Sequence, residues 1–243
     1  IPARQLVPLL RDRPAQDPRV EQARQRLLAW NYVLNKESVE AGIYVAWESQ
    51  LRRGTWERVV PAEAKEQIRS LPLSKVIAWL AGPIGEFGAN PAAARDTVLL
   101  LALSRAVDDL TQRLGRDLAG WRYGQERYHH ALIRHPLSAV VNDATRRRLD
   151  VGPLPRGGYG STVNATGGGN NQTSGASFRI IVDTGDWDRA VGTNTPGQSG
   201  DPDSPHYRDL FETWAMDRFF PVFYSRGRVE AVTGQRLLLE PGV

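Results

Sequence analysis

The sequence predicts an α+β protein in which a helical first half is followed by antiparallel strands. Three observations carry that expectation. Apolar residues recur at three- and four-residue intervals through the first 120 positions; the composition then shifts toward Gly, Thr, Asn and Pro; and from there the apolar period shortens toward two. At 243 residues and 41% hydrophobic, the chain is long enough to bury a real core. A mainly helical segment is expected over residues 1–120 and a strand-rich segment over 121–243.

Each element has its own warrant. From Pro18, the residues Val20, Ala23, Leu27, Trp30 and Leu34 follow one helical face, and Val39, Ile43, Trp47 and Leu51 repeat it at intervals of four. A short helix is predicted over 70–81, stopped by Gly82 and Pro83. Asn90 followed by Pro91 is a cap and first-turn pair for a long helix through Leu99, Leu103, Leu110 and Leu114, with Gly115 or Gly120 to end it. Strands are expected over 161–165 and 176–184, and a closing hairpin pairs 228–232 with 236–240 around Thr233 and Gly234. One more helix, 207–218, turns Leu210, Phe211 and Trp214 inward and stops before Pro221, with Asp203 or Ser204 as its cap.

Composition removes several function classes. The formal charge is +4 and the pI near 9.6, but acids and bases alternate, and the longest basic run is Arg146, Arg147 and Arg148. No basic stripe interleaved with aromatics marks a nucleic-acid binder, so a solvated helix face is the reading. With no cysteine there is no disulfide, no zinc thiolate site and no cysteine nucleophile. The densest apolar run, 98–103, is broken by Ser104 and Arg105, far short of a membrane span. The opening Ile1, Pro2, Ala3 and Arg4 contain neither an initiator Met nor a signal peptide, which predicts a start made by cutting.

Local motifs offer incomplete chemistry. Ile180, Ile181 and Val182 run into Asp183, Thr184 and Gly185, as an aspartic protease presents its carboxylate, but such enzymes need two carboxylates sharing a proton and only one motif is present. A buried strand ending in a turn is the simpler expectation. His129, His130, His135 and His206 lack the spacing that sets two imidazoles on one helix face, so no metal site is predicted. His135, before Pro136, reads as a hydrogen-bonded loop residue. The Gly-rich stretch 167–171 has no Lys-Ser or Lys-Thr after it and reads as a surface loop. Gly197, Gln198, Ser199 and Gly200 are not preceded by a strand, so Ser199 is not a nucleophile elbow.

Four successive signatures then resemble the penicillin acylase family of N-terminal-nucleophile hydrolases. Trp121 to Gly124 with His130, His135, Pro136 and Leu137 is similar to one; Gly157, Gly158, Gly160, Thr162, Val163, Asn164 and Ala165 to the next, with Tyr159 where family members often carry Asp. Gly175, Ala176, Ser177, Phe178 and Arg179, running into Asp183, are similar to the third. Gly197 to Gly200 with Gln198 and Ser199, then Ser204, Pro205, His206 and Tyr207, are similar to the fourth. The first half resembles the family less specifically, through Ala3 to Leu10 and the Trp30 and Trp47 helices.

The resemblance covers nearly the whole chain but only the later part of the family's large (β) subunit. It implies a four-layer αββα sandwich, export to the periplasm or medium, and cleavage of linear acyl amides such as β-lactam side chains or acyl-homoserine lactones. An exposed N-terminal Ser attacks the amide carbonyl, with its own α-amino group as base, and an acyl-enzyme forms. That Ser, the oxyanion donors and the calcium site of some members would lie upstream of Ile1, in the small subunit and the first part of the large one, which are the expected partners. The chain alone is therefore expected to be inactive, with no catalytic residue, metal or cofactor of its own. Arg179 and Asp183 are candidates for positioning the site's surroundings, against the simpler reading of an ion pair or cap at a strand end. His130, His135, Thr162, Asn164, Gln198, Ser199, Ser204 and His206 are expected to be structural. The rival from another class is a non-catalytic scaffold or binding module of the same fold.

Overall fold

The computed structural model describes residues 2–167 and 169–239. The α-amino group of Ile1, Gly168 and the end of the 236–240 segment lie outside these residues. The helices are α1 (Ala3–Leu6), α2 (Pro18–Leu28), α3 (Val39–Val59), α4 (Leu73–Ala81), α5 (Pro91–Leu114), α6 (Asp143–Leu149), α7 (Phe211–Ala215) and α8 (Arg226–Val232). The strands are β1 (His130–Ile133), β2 (Val151–Pro155), β3 (Arg179–Ile181), β4 (Val191–Thr193) and β5 (Phe220–Pro221); β1 pairs with β2, and β3–β4–β5 form an antiparallel sheet. The chain is thus α+β, with helices first and antiparallel strands after. No helix among the described residues is long and apolar enough to cross a membrane.

The chain divides into two compact units, one of residues 1–131 with 153–175 and the other of 132–152 with 176–243. The first is built on α3 and α5. Ser38 Oγ accepts from the Ala41 N–H at 3.0 Å, and Asn90 Oδ1 from the Ala93 N–H at 3.1 Å, so each helix starts at a side chain able to satisfy an otherwise orphaned donor. Gly115, at φ 99°, ends α5 in a conformation open to glycine. Ile43, Trp47 and Leu51 of α3 and Leu99, Leu103 and Leu110 of α5 are fully buried, and the Trp47 indole donates to the Leu99 carbonyl at 3.0 Å. Trp30 and Leu34 are buried as expected but lie beyond α2, which stops at Leu28. The helix predicted from residue 70 begins at Leu73, after Pro72, whose own backbone is extended.

The second unit departs further from expectation. The strand predicted over 176–184 is only Arg179–Ile181, registered against β4 from Arg179↔Thr193 to Ile181↔Val191. It is not buried either: Ile180 is 49% and Ile181 57% exposed. The helix predicted over 207–218 is reduced to α7. Its N-terminal end is lost because the His206 carbonyl turns to receive the Gln198 and Ser199 N–H groups, so neither Asp203 nor Ser204 caps it. Its C-terminal end is set by Asp217, at φ 54°, where the Arg218 and Asp217 N–H groups return to the Thr213 and Trp214 carbonyls. Among the described residues the closing hairpin is not formed. Residues 226–232 are helix α8, held by an Arg226–Glu230 pair at 2.9 Å one turn apart, with Asp188 Oδ1 accepting from the Tyr224 and Ser225 N–H groups at 2.8 Å just before it. Residues 234–239 have no regular structure. In the first unit, the strand expected over 161–165 is a turn, with Ala165 at φ 48°.

Candidate functional site

The first unit contains a cavity of about 790 Å³. Its floor begins with a conflict in α3: Tyr44, Trp47, Glu48 and Leu51 share one helical stripe, and that stripe faces the core. Glu48 is carried inward with its apolar neighbours and is only 6% exposed. Two phenols meet it there. Tyr44 and Tyr159 both donate to Glu48 Oε2, Tyr159 at 3.0 Å, and their rings stand edge to face at 6.1 Å. Burial raises the Glu48 carboxyl above its ordinary value, opposed by the two phenols and by the charge of Arg52. Burial and the adjacent Glu48 together push the Tyr159 phenol up to about 12.

Another part of the lining is aromatic. The His129 ring stacks on Tyr123 at 4.6 Å between centroids, and the Tyr123 hydroxyl donates to the Gly158 carbonyl at 2.9 Å. His129 is 3% exposed and its pKa falls to about 4, first by burial and then by the positive charge of Arg156, so the imidazole is neutral. Arg156 is itself fully buried, its Nε donating to Gln172 Oε1 at 3.3 Å. Val45, Trp56, Leu71 and Leu73 supply apolar lining, and Arg52, Arg53 and Arg69 line the same cavity. The result is a pocket with a buried carboxyl, a neutral imidazole and arginines together. Such a lining can bind a polar, anionic small molecule.

The sequence-predicted residues fall elsewhere or play other parts. His130 is half-buried on β1, its backbone bonded to Asn170 and Gln172; His135 Nδ1 accepts from the Leu137 N–H at 3.1 Å, as a hydrogen-bonded loop residue should. Thr162 Oγ1 closes the turn after Tyr159, accepting from the Tyr159 N–H and donating to its carbonyl, which aims the phenol at Glu48. Asn164 packs against Gly158. In the second unit, Gln198 bonds the Gly197 carbonyl, Ser199 Oγ accepts from the Asp201 N–H, Ser204 Oγ accepts from the His206 N–H, and His206 Nδ1 lies 2.8 Å from Asp209 on the surface.

Arg179 and Asp183 do not meet. The Arg179 side chain, 8% exposed, reaches Asp217 at 2.5 Å and the Trp214 carbonyl at 2.8 Å, beside the Trp214 and Phe219 rings. Asp183 accepts from the Gly185 N–H at 2.9 Å and pairs with Arg189 at 3.5 Å. Among the described residues, no group of three or more His, Asp or Glu is arranged to hold a metal ion. Sequence reasoning passed over Glu48, His129 and Arg156 as a set. The available signal was a carboxylate on an otherwise apolar helical stripe, between Trp47 and Leu51.

Comparison with known proteins bears on what this geometry belongs to. The sequence model described as penicillin amidase matches residues 1–231. The chain is 34% identical over 236 residues to the penicillin acylase 2 proenzyme of a Pseudomonas species, covering 90% of this chain and 29% of that protein. It is 28% identical over 265 residues to the acyl-homoserine lactone acylase QuiP of Pseudomonas aeruginosa, covering 99% of this chain and 31% of that one. A thermostable penicillin G acylase from Alcaligenes faecalis superimposes with a TM-score of 0.51 over 100% of this chain and 47% of its own, at 19% identity, a likeness of fold. The chain spans about three-tenths of the length of the two curated relatives.

Proposed function

The chain belongs to the penicillin amidase family, and on that premise we propose that it is one part of an amidohydrolase that cleaves linear acyl amides. The observation that carries the proposal is the pairing of a family match along residues 1–231 with coverage of only 29% and 31% of two curated relatives. The names of those relatives support β-lactam side chains or acyl-homoserine lactones as the substrate class. On this reading the nucleophile is an N-terminal Ser contributed by the remaining portion, which attacks the amide carbonyl, releases the amine and leaves an acyl-enzyme for water to hydrolyse. Oxyanion donors and any calcium also belong to that portion.

The part played by this chain is then architectural, within a four-layer αββα sandwich exported to the periplasm or the medium. Arg179 serves as a clamp that joins β3 to the end of α7 through Asp217 and the Trp214 carbonyl. The test is to express the complete gene product and offer it acyl amides with β-lactam and homoserine-lactone amines. Release of free amine with the matching carboxylic acid is expected; a folded product that releases neither supports the scaffold alternative and ends the enzymatic reading.

A further inference from the structure

Val45, Ser49, Arg52 and Trp56 recur along α3 at steps of four, three and four, which sets them on one helical line, and all four line the cavity beside Glu48. Arg69 and Ser70 reach the same space from the segment ahead of α4, and Ser161 from the turn after Tyr159. The polar groups gathered in this way are mostly donors. Arg53 is committed to Glu57 at 2.8 Å, but Arg52 and Arg69 make no hydrogen bond or ion pair among the described residues. The Ser49 and Ser70 hydroxyls likewise have no partner among those residues.

The accessible charge is one-sided. Glu48, the one carboxyl among the described lining residues, is covered by the chain and takes both phenols on Oε2, whereas Arg52, Arg53 and Arg69 are exposed. A carboxylate would bring two oxygens and a single charge. A phosphate monoester brings three terminal oxygens and a charge of about −1.5 to −2 at neutral pH, enough for two unpaired guanidinium forks and the hydroxyls beside them. Val45, Trp56, Leu71 and Leu73 add apolar surface to the same space, and Trp56 is fixed by its indole N–H, which donates to the Ile68 carbonyl at 2.5 Å. Inorganic phosphate would leave that surface against water. A space of about 790 Å³ lies within the usual range of small-molecule sites, roughly 300–1,000 Å³.

We propose that this cavity binds a small organic phosphate monoester, its phosphate held by Arg52 and Arg69 with the serine hydroxyls beside them, and its apolar body along Trp56 and Leu71. Each part of the ligand answers one part of the lining: the dianion the two unpaired guanidinium groups, the body the apolar wall. The site is one of binding alone, and it stands apart from whether the larger protein hydrolyses amides, so failure of either leaves the other intact.

Isothermal titration of the complete gene product with phenyl phosphate tests it, with benzoate and inorganic phosphate as comparison ligands. Saturable binding of phenyl phosphate is expected, with benzoate and inorganic phosphate each about tenfold weaker or more, a step of about 1.4 kcal/mol. Arg52→Ala and Arg69→Ala should each weaken phenyl phosphate about tenfold. Arg52→Lys, which keeps the charge and loses the planar fork, should recover only part of that loss. Arg19→Ala, at an exposed position on α2 outside the cavity, should leave the affinity unchanged. The substituted side chains are exposed, so the variants keep the fold, and thermal melts check that they do. Absence of phenyl phosphate binding, benzoate or inorganic phosphate bound as tightly, or affinity indifferent to both Arg52→Ala and Arg69→Ala would overturn the assignment.

Discussion

At the scale of single residues, His129 and Glu48 line one cavity and are both pushed toward neutrality by burial, with opposite consequences for stability. His129 titrates near 4 in the folded chain against an ordinary 6.5. Between those values the unfolded chain takes up a proton that the native one refuses. The stability this residue contributes is therefore complete above pH 6.5 and is lost as pH falls through about 4, an effect on the order of 3 kcal/mol. Glu48 acts in the reverse sense. Its folded value is raised, so its contribution is present below its ordinary 4.5 and disappears as pH rises through the folded value. Urea melts between pH 4 and 7 should show wild type losing stability toward acid and His129→Gln losing markedly less. An identical acid slope in both would show that His129 is not the group being protonated. None of this was legible from sequence order, because Glu48, His129, Arg156 and Tyr159 are brought together only by packing. Tyr159 did stand out, as the residue in a turn where the family often has Asp, and its phenol proves to reach Glu48.

At the scale of elements, α3 carries two glycines whose replacement should act in opposite directions. Gly42 is buried where a Cβ would sit 2.6 Å from the Trp121 carbonyl and 3.2 Å from the Tyr128 ring, whose hydroxyl also donates to the Gly42 carbonyl at 2.6 Å. Gly54 meets only a Val98 methyl at 3.5 Å, an ordinary contact. Helix propensity alone favours alanine at both by up to about 1 kcal/mol. Thermal or denaturant melts should show Gly54→Ala neutral or stabilised and Gly42→Ala destabilised by about 1–3 kcal/mol, as overpacking requires. A stabilised Gly42→Ala would mean that α3 does not approach Trp121 this closely. The helices were legible because their cores repeat at three and four and their caps, Ser38 and Asn90, are local signals. The later elements were not. The alternation that suggested a hairpin over 228–240 is equally compatible with the Arg226–Glu230 helical pair, and α7 is bounded by hydrogen bonds from the distant Gln198 and by a left-handed Asp217, which no local pattern announces.

At the scale of the whole molecule, the family was legible where the chemistry was not. The turn at Thr162, the clamp at Arg179 and the loop at Gln198 and Ser199 are backbone-fixing arrangements, and residues of that kind can be recognised in order along a chain even when no catalytic set is complete. Each of them makes hydrogen bonds that hold the local backbone or join neighbouring elements. The apolar residues of β3 and its surroundings, Phe178, Ile180, Ile181 and Val182, are about half exposed, a run that reads in sequence as a buried strand.

The most direct test of the proposed division of labour is native mass spectrometry of the product of the complete gene, with acyl-amide hydrolysis measured on the assembly and on the 27.0 kDa chain alone. The account predicts that this chain is held with further portions of the same protein and that hydrolysis belongs to the assembly alone. Hydrolysis by the isolated 27.0 kDa chain, or a complete assembly without it, would contradict the account.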